Sequence, residues 1–213
     1  MVELPLRLPP PKAAPTKNRM ALAGSMVTPS LLEGTYRVKI TKGKETFEHD
    51  ITLQPDPESL YSAADRKMQQ QTLKTLYDMT NRLGYIYHTL EDIEKQAKAL
   101  TPDANQFKEK LTGLAEEVEK YKGSLVSLDG DFYVAEGEEA LREEISTLYY
   151  SVSTFPGKPS ERQVGKTVQL QQDFVQVEEK FTGFQEQAAA LDSELKPAQL
   201  KILTWKTFED YLN

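Results

Sequence analysis

Leu76–Leu100 reads LYDMTNRLGYIYHTLEDIEKQAKAL. Within it Leu76, Met79, Leu83, Ile86, Leu90, Ile93, Ala97 and Leu100 follow one another at steps of three, four, three and four. That spacing predicts a long helix that buries one stripe and solvates the rest. Three later segments repeat the pattern. A second helix carries Phe107, Leu111, Leu114, Val118, Tyr121 and Leu125, and a third carries Leu141, Ile145, Leu148, Val152 and Phe155. The fourth carries Leu170, Phe174, Val177, Phe181, Phe184, Ala188, Leu191 and Leu195, and Pro197 stops it. Ser62 with Asp65, and Ser160 with Gln163, have the spacing of a capping box. Thr101-Pro102 ends the first helix and opens the second, with Thr101 as cap and Pro102 at the first helical position. The first and last helices run to roughly 35–40 residues, about 50–60 Å at the standard rise. Four such stripes with short or moderate connections predict an antiparallel up-down four-helix bundle over residues 58–197. The two long helices either project beyond that bundle or carry another element on their ends.

Upstream the period is two. In EGTYRVKITKGKETFEHDITLQPDP, Glu33 to Pro57, the residues Tyr36, Val38 and Ile40 alternate with Arg37, Lys39 and Thr41. Phe47, His49, Ile51 and Leu53 alternate with Glu48, Asp50 and Thr52. A tight turn at Lys42-Gly43 would pair Ile40 with Glu45, Val38 with Phe47 and Tyr36 with His49, placing both apolar sets on one face. Residues 34–57 are therefore expected to form a β-hairpin. A lone hairpin is marginal, so its apolar face needs something to rest on. Residues 1–33 are proline-rich and read as irregular, with an edge strand at Val2, Leu4, Leu6 and Leu8 and a loop from Pro9 to Ser30. Residues 198–213 read as an extended tail ending in one or two helical turns, with Trp205, Phe208 and Tyr211 docking onto a helix groove. The class is α+β, mostly α.

Composition bounds the function. The 213 residues carry a net charge of −7, and phosphate binding needs a concentrated basic face, so nucleic acid is not an expected partner. With no cysteine there is no disulfide or thiolate chemistry. The longest apolar run falls far short of a membrane span. MVELPLRLPPPK, Met1 to Lys12, lacks the basic start and apolar core of a signal peptide.

Candidate chemistry is sparse. His49 and His88 are the two histidines. The Glu-x-x-His pattern of bundle di-metal sites fails at both, because Thr46 and Tyr85 stand where glutamate is needed. His49 reads as a half-buried strand residue opposite Tyr36, and His88 as solvent-facing beside Tyr87. Of Asp129, Asp131, Glu136, Glu138 and Glu139, only the first two keep the alternate spacing of a calcium loop, so the stretch reads as a solvated connection. Glu116-Glu117, Glu143-Glu144 and Glu178-Glu179 read as exposed helix faces rather than acid/base pairs. No catalytic, cofactor-binding or metal-binding residue and no cofactor is expected. Tyr85, Tyr149 and Tyr150 fall partly off the stripes. Such tyrosines either mark a partner surface or lie over neighbouring side chains.

Gly34-Thr35-Tyr36, Lys42-Gly43-Lys44 and Asp56-Pro57, followed by YSAADRKMQQQTLKTLYDMTNRL, carry a resemblance. From Leu31 to Leu100 the chain resembles the C-terminal region of bacterial BNR/Asp-box repeat proteins, the sortilin-like or sialidase-like β-propellers grouped with the glycosyl hydrolases. The later helices match by order and spacing alone. The resemblance implies that the hairpin closes an Ig-like or fibronectin-like sandwich, that the chain is the C-terminal piece of a longer polypeptide, and that the protein is exported to the periplasm or cell surface with its signal upstream. No Ser-x-Asp-x-Gly-x-Thr-Trp box occurs here, so any catalytic residues would lie upstream and none is carried over. Fold analogy does not establish activity.

The first expectation is a non-catalytic accessory module that docks, spaces or oligomerises a larger propeller protein. The alternative is a stand-alone helical adaptor that associates through helix faces around Tyr85 and Tyr149. A carbohydrate-binding or hydrolytic accessory domain stands third. The partner is the upstream propeller domain or another protein, and oligomeric state is left open.

Overall fold

The structure, a computed structural model, describes residues 3–128 and 140–213. It is mostly helical, with one two-stranded antiparallel hairpin. The order is α1 (Arg19–Ser25), β1 (Gly34–Lys42), β2 (Glu45–Leu53), α2 (Ala63–Leu100), α3 (Lys108–Ser124), α4 (Leu141–Ser153), α5 (Glu161–Leu195) and α6 (Phe208–Leu212).

Both expected capping boxes form. The Ser62 hydroxyl accepts from Asp65 N while Asp65 reaches back to Ser62 N, and Ser160 and Gln163 do the same. α2 ends at Leu100, but α3 does not begin at Pro102. The chain first passes through two 3-10 turns, Thr101–Asp103 and Asn105–Phe107, and α3 starts at Lys108. α5 ends at Leu195, and a 3-10 turn leads to Gln199 in the left-handed conformation at φ 57°. Both long stripes are inside. Leu76, Met79, Leu83, Ile86, Leu90, Ile93 and Ala97 of α2 are buried, as are all eight expected residues of α5.

The helices do not alternate as an up-down four-helix bundle would. Glu94 on α2 meets Lys122 on α3, whereas Gln69, far back along α2, meets the Val152 carbonyl at the end of α4. α3 and α4 therefore follow one another down α2, and both run antiparallel to it. α5 runs back beside them: Gln163 reaches Ser151, Phe184 lies against Tyr121, and Lys110 pairs with Glu194. Arg82 with Glu178 and Tyr85 with Phe181 show that α5 is parallel to α2. The architecture is three columns: α2, α5, and a third divided into α3 and α4. Stripe periodicity does not encode helix direction, and a helix can be interrupted without turning round.

The rest of the chain wraps α2. Five consecutive residues, Leu83 to Tyr87, are buried, so α2 is covered on every side at that level. The segment read as loop from Pro9 to Ser30 contains α1, capped by Asn18 and packed on α4. Its apolar residues are too few to show a helical stripe, and Ala21 and Gly24 are buried because they are small. A Cβ on Gly24 would stand 2.2 Å from the Ser146 carbonyl oxygen. The expected edge strand reduces to one bridge, Arg7 with Ser30. The tail docks as expected, with Trp205, Phe208 and Tyr211 half-buried against the core.

The hairpin forms in a register two residues from the expected one: Ile40 faces Phe47, Val38 faces His49 and Tyr36 faces Ile51. Gly43 at φ 61° and Lys44 make the two-residue loop, one residue further along than the expected turn at Lys42-Gly43. Because side chains alternate, a slip of two leaves both apolar sets on the shared face. His49 is exposed and opposite Val38, not half-buried opposite Tyr36. The described residues hold no further strand, so the sheet has two strands and no sandwich around them.

Candidate functional site

Two kinds of place stand out: polar nodes that hold the chain's own segments, and one end that is left open.

The first node is at the start of α4. Arg142 is 3% exposed and Glu143 is 1% exposed. The Arg142 guanidinium donates to the carbonyls of Ala14 and Ala21 and to the hydroxyls of Ser25 and Ser146. The Glu143 carboxylate accepts from the Thr16 hydroxyl at 2.6 Å and from Ser127 N at 3.0 Å. Burial pushes the Glu143 carboxyl above its usual range and pulls Arg142 below its own. Glu143 is thus not an exposed-face residue, as its pairing with Glu144 suggested. It ties the N-terminal segment and the chain beyond α3 to α4. A buried charge is tolerable when its hydrogen-bonding groups are matched, as they are at this node.

The second node joins the two ends of the chain over α2. Lys12 N donates to Asn81, Lys12 Nζ donates to the Tyr211 carbonyl, and the Tyr211 hydroxyl donates back to the Lys12 carbonyl. Gly84 permits this crossing, since a Cβ there would lie 1.9 Å from the Lys12 carbonyl oxygen. Further along the tail, Gln96 both donates to and accepts from the Thr204 backbone, and Asp192 accepts from Leu203 N.

Two of the three tyrosines lie beneath the terminal segments. Tyr85 is buried, stacks edge-on against Phe181 and Phe208, and donates to the Lys206 carbonyl. Tyr149 has no exposed surface and donates to the Val27 carbonyl, and burial pushes its phenol far above the ordinary value. Neither lies on a partner surface of this chain, because the terminal segments cover them. Tyr150 is half-buried at the edge of α4. His88 is half-buried rather than solvent-facing, with Nδ1 3.6 Å from Glu91. Asp129, Asp131, Glu136, Glu138 and Glu139 lie outside the described residues.

The open end is built by the hairpin and the α2, α4 and α5 termini beneath it. Arg66 of α2 pairs with Glu33 at the hairpin's base and holds that carboxylate below its usual range. A groove of about 490 Å³ lies beside this pair, lined by Leu31, Leu32, Tyr61, Gln69 and Pro156 among others. Apolar surface is left bare beside it, where Leu60 is 94% exposed and Phe155 54%, and out near the hairpin's turn, where Phe47 is 57% exposed and Ile40 42%. The alternation of the hairpin signals an apolar face, but nothing in the sequence shows that its outer half stays uncovered. Leu60, alone between polar turn residues, carried no periodic signal at all.

A larger groove, about 810 Å³, runs between α4 and α5 past Thr147, Leu148, Ser151 and Arg162, and the Lys166–Glu144 ion pair crosses it. Among the described residues no three histidine, aspartate or glutamate side chains gather where they would hold a metal ion. No described helix is long and apolar enough to cross a membrane. Comparisons with protein-family models, curated proteins and solved structures found no match.

Proposed function

We propose that this chain is a non-catalytic interaction module at the C-terminal end of a larger exported propeller protein, and that it docks through its hairpin end. One observation carries the reading. The helical columns bury their stripes against each other and against the chain's own termini, while the hairpin holds Ile40 and Phe47 in solvent. A two-stranded hairpin is marginally stable by itself, and an exposed apolar face with an alternating pattern is what one layer of a sheet packing offers to a second. The resemblance of Leu31–Leu100 to the C-terminal region of BNR/Asp-box proteins supplies the partner, a β-rich domain upstream in the same polypeptide, and the periplasmic or cell-surface location. In this reading the helices act as a rigid base that presents the hairpin. The adaptor alternative, with Tyr85 and Tyr149 at a helix-face contact, has little support because both side chains are enclosed.

The test is the mass of the native protein in its source cells, by immunoblot with an antibody against this chain. A band several times 24.1 kDa is expected. A band at 24.1 kDa would overturn the C-terminal-module reading and leave a self-contained interaction protein.

A further inference from the structure

The hairpin sorts its charges by strand. β1 carries Arg37, Lys39 and Lys42 and no acid, whereas β2 carries Glu45, Glu48 and Asp50 and no lysine or arginine. Of the facing pairs, Arg37 and Asp50 form an ion pair at 3.0 Å. Lys39 and Lys42 are exposed and form no ion pair among the described residues. Each strand is nine residues long, with no proline and only Gly34, at its base, interrupting the side chains of β1.

The ladder tells which backbone groups look outward. A two-residue turn is closed by a hydrogen-bonded pair, here Lys42 with Glu45, and pairs then alternate. Thr35–Thr52, Arg37–Asp50, Lys39–Glu48 and Thr41–Thr46 are therefore non-hydrogen-bonded pairs, whose side chains approach more closely. The Thr35–Thr52 hydroxyl contact at 3.3 Å and the Arg37–Asp50 ion pair agree with this. The N–H and C=O groups of Thr35, Arg37, Lys39 and Thr41 thus point away from β2, along an edge to which no strand is paired. Exposed edges of this kind are templates for another strand.

We infer that the outer edge of β1 is a strand-addition site for an antiparallel strand of a partner sheet that carries carboxylates at alternate positions and apolar residues between them. The carboxylates would lie beside Arg37 and Lys39 on the polar face. The apolar residues would extend the face of Tyr36, Val38 and Ile40. Charge favours this occupant over symmetric pairing of two copies. Two copies joined symmetrically through β1 would set Arg37 and Lys39 of each against those of the other, and a symmetric β2 contact would oppose Glu48 and Asp50. The assignment rests on the hairpin being the docking element of an interaction module, and it names the edge and the strand chemistry.

The test uses the full chain and a capped synthetic peptide with the sequence ETFEHDITL, an acidic alternating strand copied from Glu45–Leu53. Amide resonances of Thr35, Arg37, Lys39 and Thr41 are followed by NMR during titration. Saturable shifts at these four residues are expected, weakened roughly tenfold in high salt. They should be abolished when alternate peptide nitrogens are methylated. Lys39→Pro removes one outward N–H without touching the ladder and should weaken binding at least tenfold with the helical melting temperature unchanged. If that variant disturbs the hairpin, the methylated peptide decides alone. Absence of shifts, shifts confined to β2, or equal binding of the methylated peptide would overturn the assignment. So would concentration-dependent self-association reversed by the peptide, which would make the occupant a second copy. Failure here alongside a native band well above 24.1 kDa would remove the edge assignment and leave the module reading standing.

Discussion

Residues 83–87 of α2, Leu-Gly-Tyr-Ile-Tyr, and residues 36–40 of β1, Tyr-Arg-Val-Lys-Ile, are runs of equal length with large apolar side chains. All five of the first are buried and none of the second is. The difference does not lie in hydrophobicity. α2 is enclosed by α3 and α4, by α5, by the N-terminal segment crossing at Gly84 and by the tail held at Tyr85 and Gln96. β1 has β2 beside it and little else. The comparison teaches that what this chain covers with its own termini is structural, and that the face it leaves uncovered is where an interaction is to be sought.

The largest effect that would break the comparison is at Leu83, which is 1% exposed. Leu83→Asp places an unpaired carboxylate inside the columns and should cost about 4 kcal/mol or more. Thermal melting followed by circular dichroism should show the helical transition lost at ordinary temperature, and an unchanged midpoint would mean that α2 is not the centre. Arg142→Ala comes next. It orphans two buried carbonyls and removes the cation beside Glu143, for an expected loss of about 3 kcal/mol. Limited proteolysis should then cut first in residues 12–25, because the guanidinium holds that segment. Gly84→Ala is expected to cost about 1–3 kcal/mol by forcing the Lys12 backbone off α2. Hydrogen exchange should speed up at both chain ends together, and acceleration at one end alone would refute the shared crossing.

Acid sharpens the same contrast. Burial pushes the Glu94 carboxyl up, but hydrogen bonds from Lys122 and Lys98 outweigh it and hold the group below its usual range. A lowered folded value gives stability that is present above the unfolded pKa and is lost as pH falls through the folded one. The helical midpoint should therefore drop below about pH 4, and Glu94→Gln should flatten that drop. Glu143 has the opposite sign, since its raised value favours the fold at low pH and loses that advantage as pH rises through it. The smallest effect is at Gly43, whose φ of 61° a β-branched residue resists. Gly43→Val should weaken the hairpin by about 1 kcal/mol and leave the helical midpoint in place. If both fell together, the hairpin would belong to the columns after all.

Much of this was legible beforehand. The stripes of α2 and α5, both capping boxes, the hairpin's apolar face and the docking of Trp205, Phe208 and Tyr211 all follow from periods and local hydrogen bonding, which a sequence states directly. The misread elements share a cause. α1 has no stripe because its contact with α4 is made by small residues. Arg142, Glu143 and Tyr149 lie off the expected α4 stripe because that helix is covered on a second side, by the N-terminal segment. Tyr85 is buried because α2 is central. Register slipped by two because either pairing puts the same residues on the same face.

Sequence alone determined the four long helices and the hairpin, the capped starts of α2 and α5, and which face of each is apolar. Tertiary structure decided that α3 and α4 run in one direction, that Arg142 and Glu143 lie in the interior, and that Tyr85 and Tyr149 face the chain's own ends while Ile40 and Phe47 face water. The physical reason is that period and capping are properties of neighbours within a few residues. Direction, enclosure and exposure depend on which distant segments arrive to cover a face, as Lys12 and Tyr211 do, 199 positions apart.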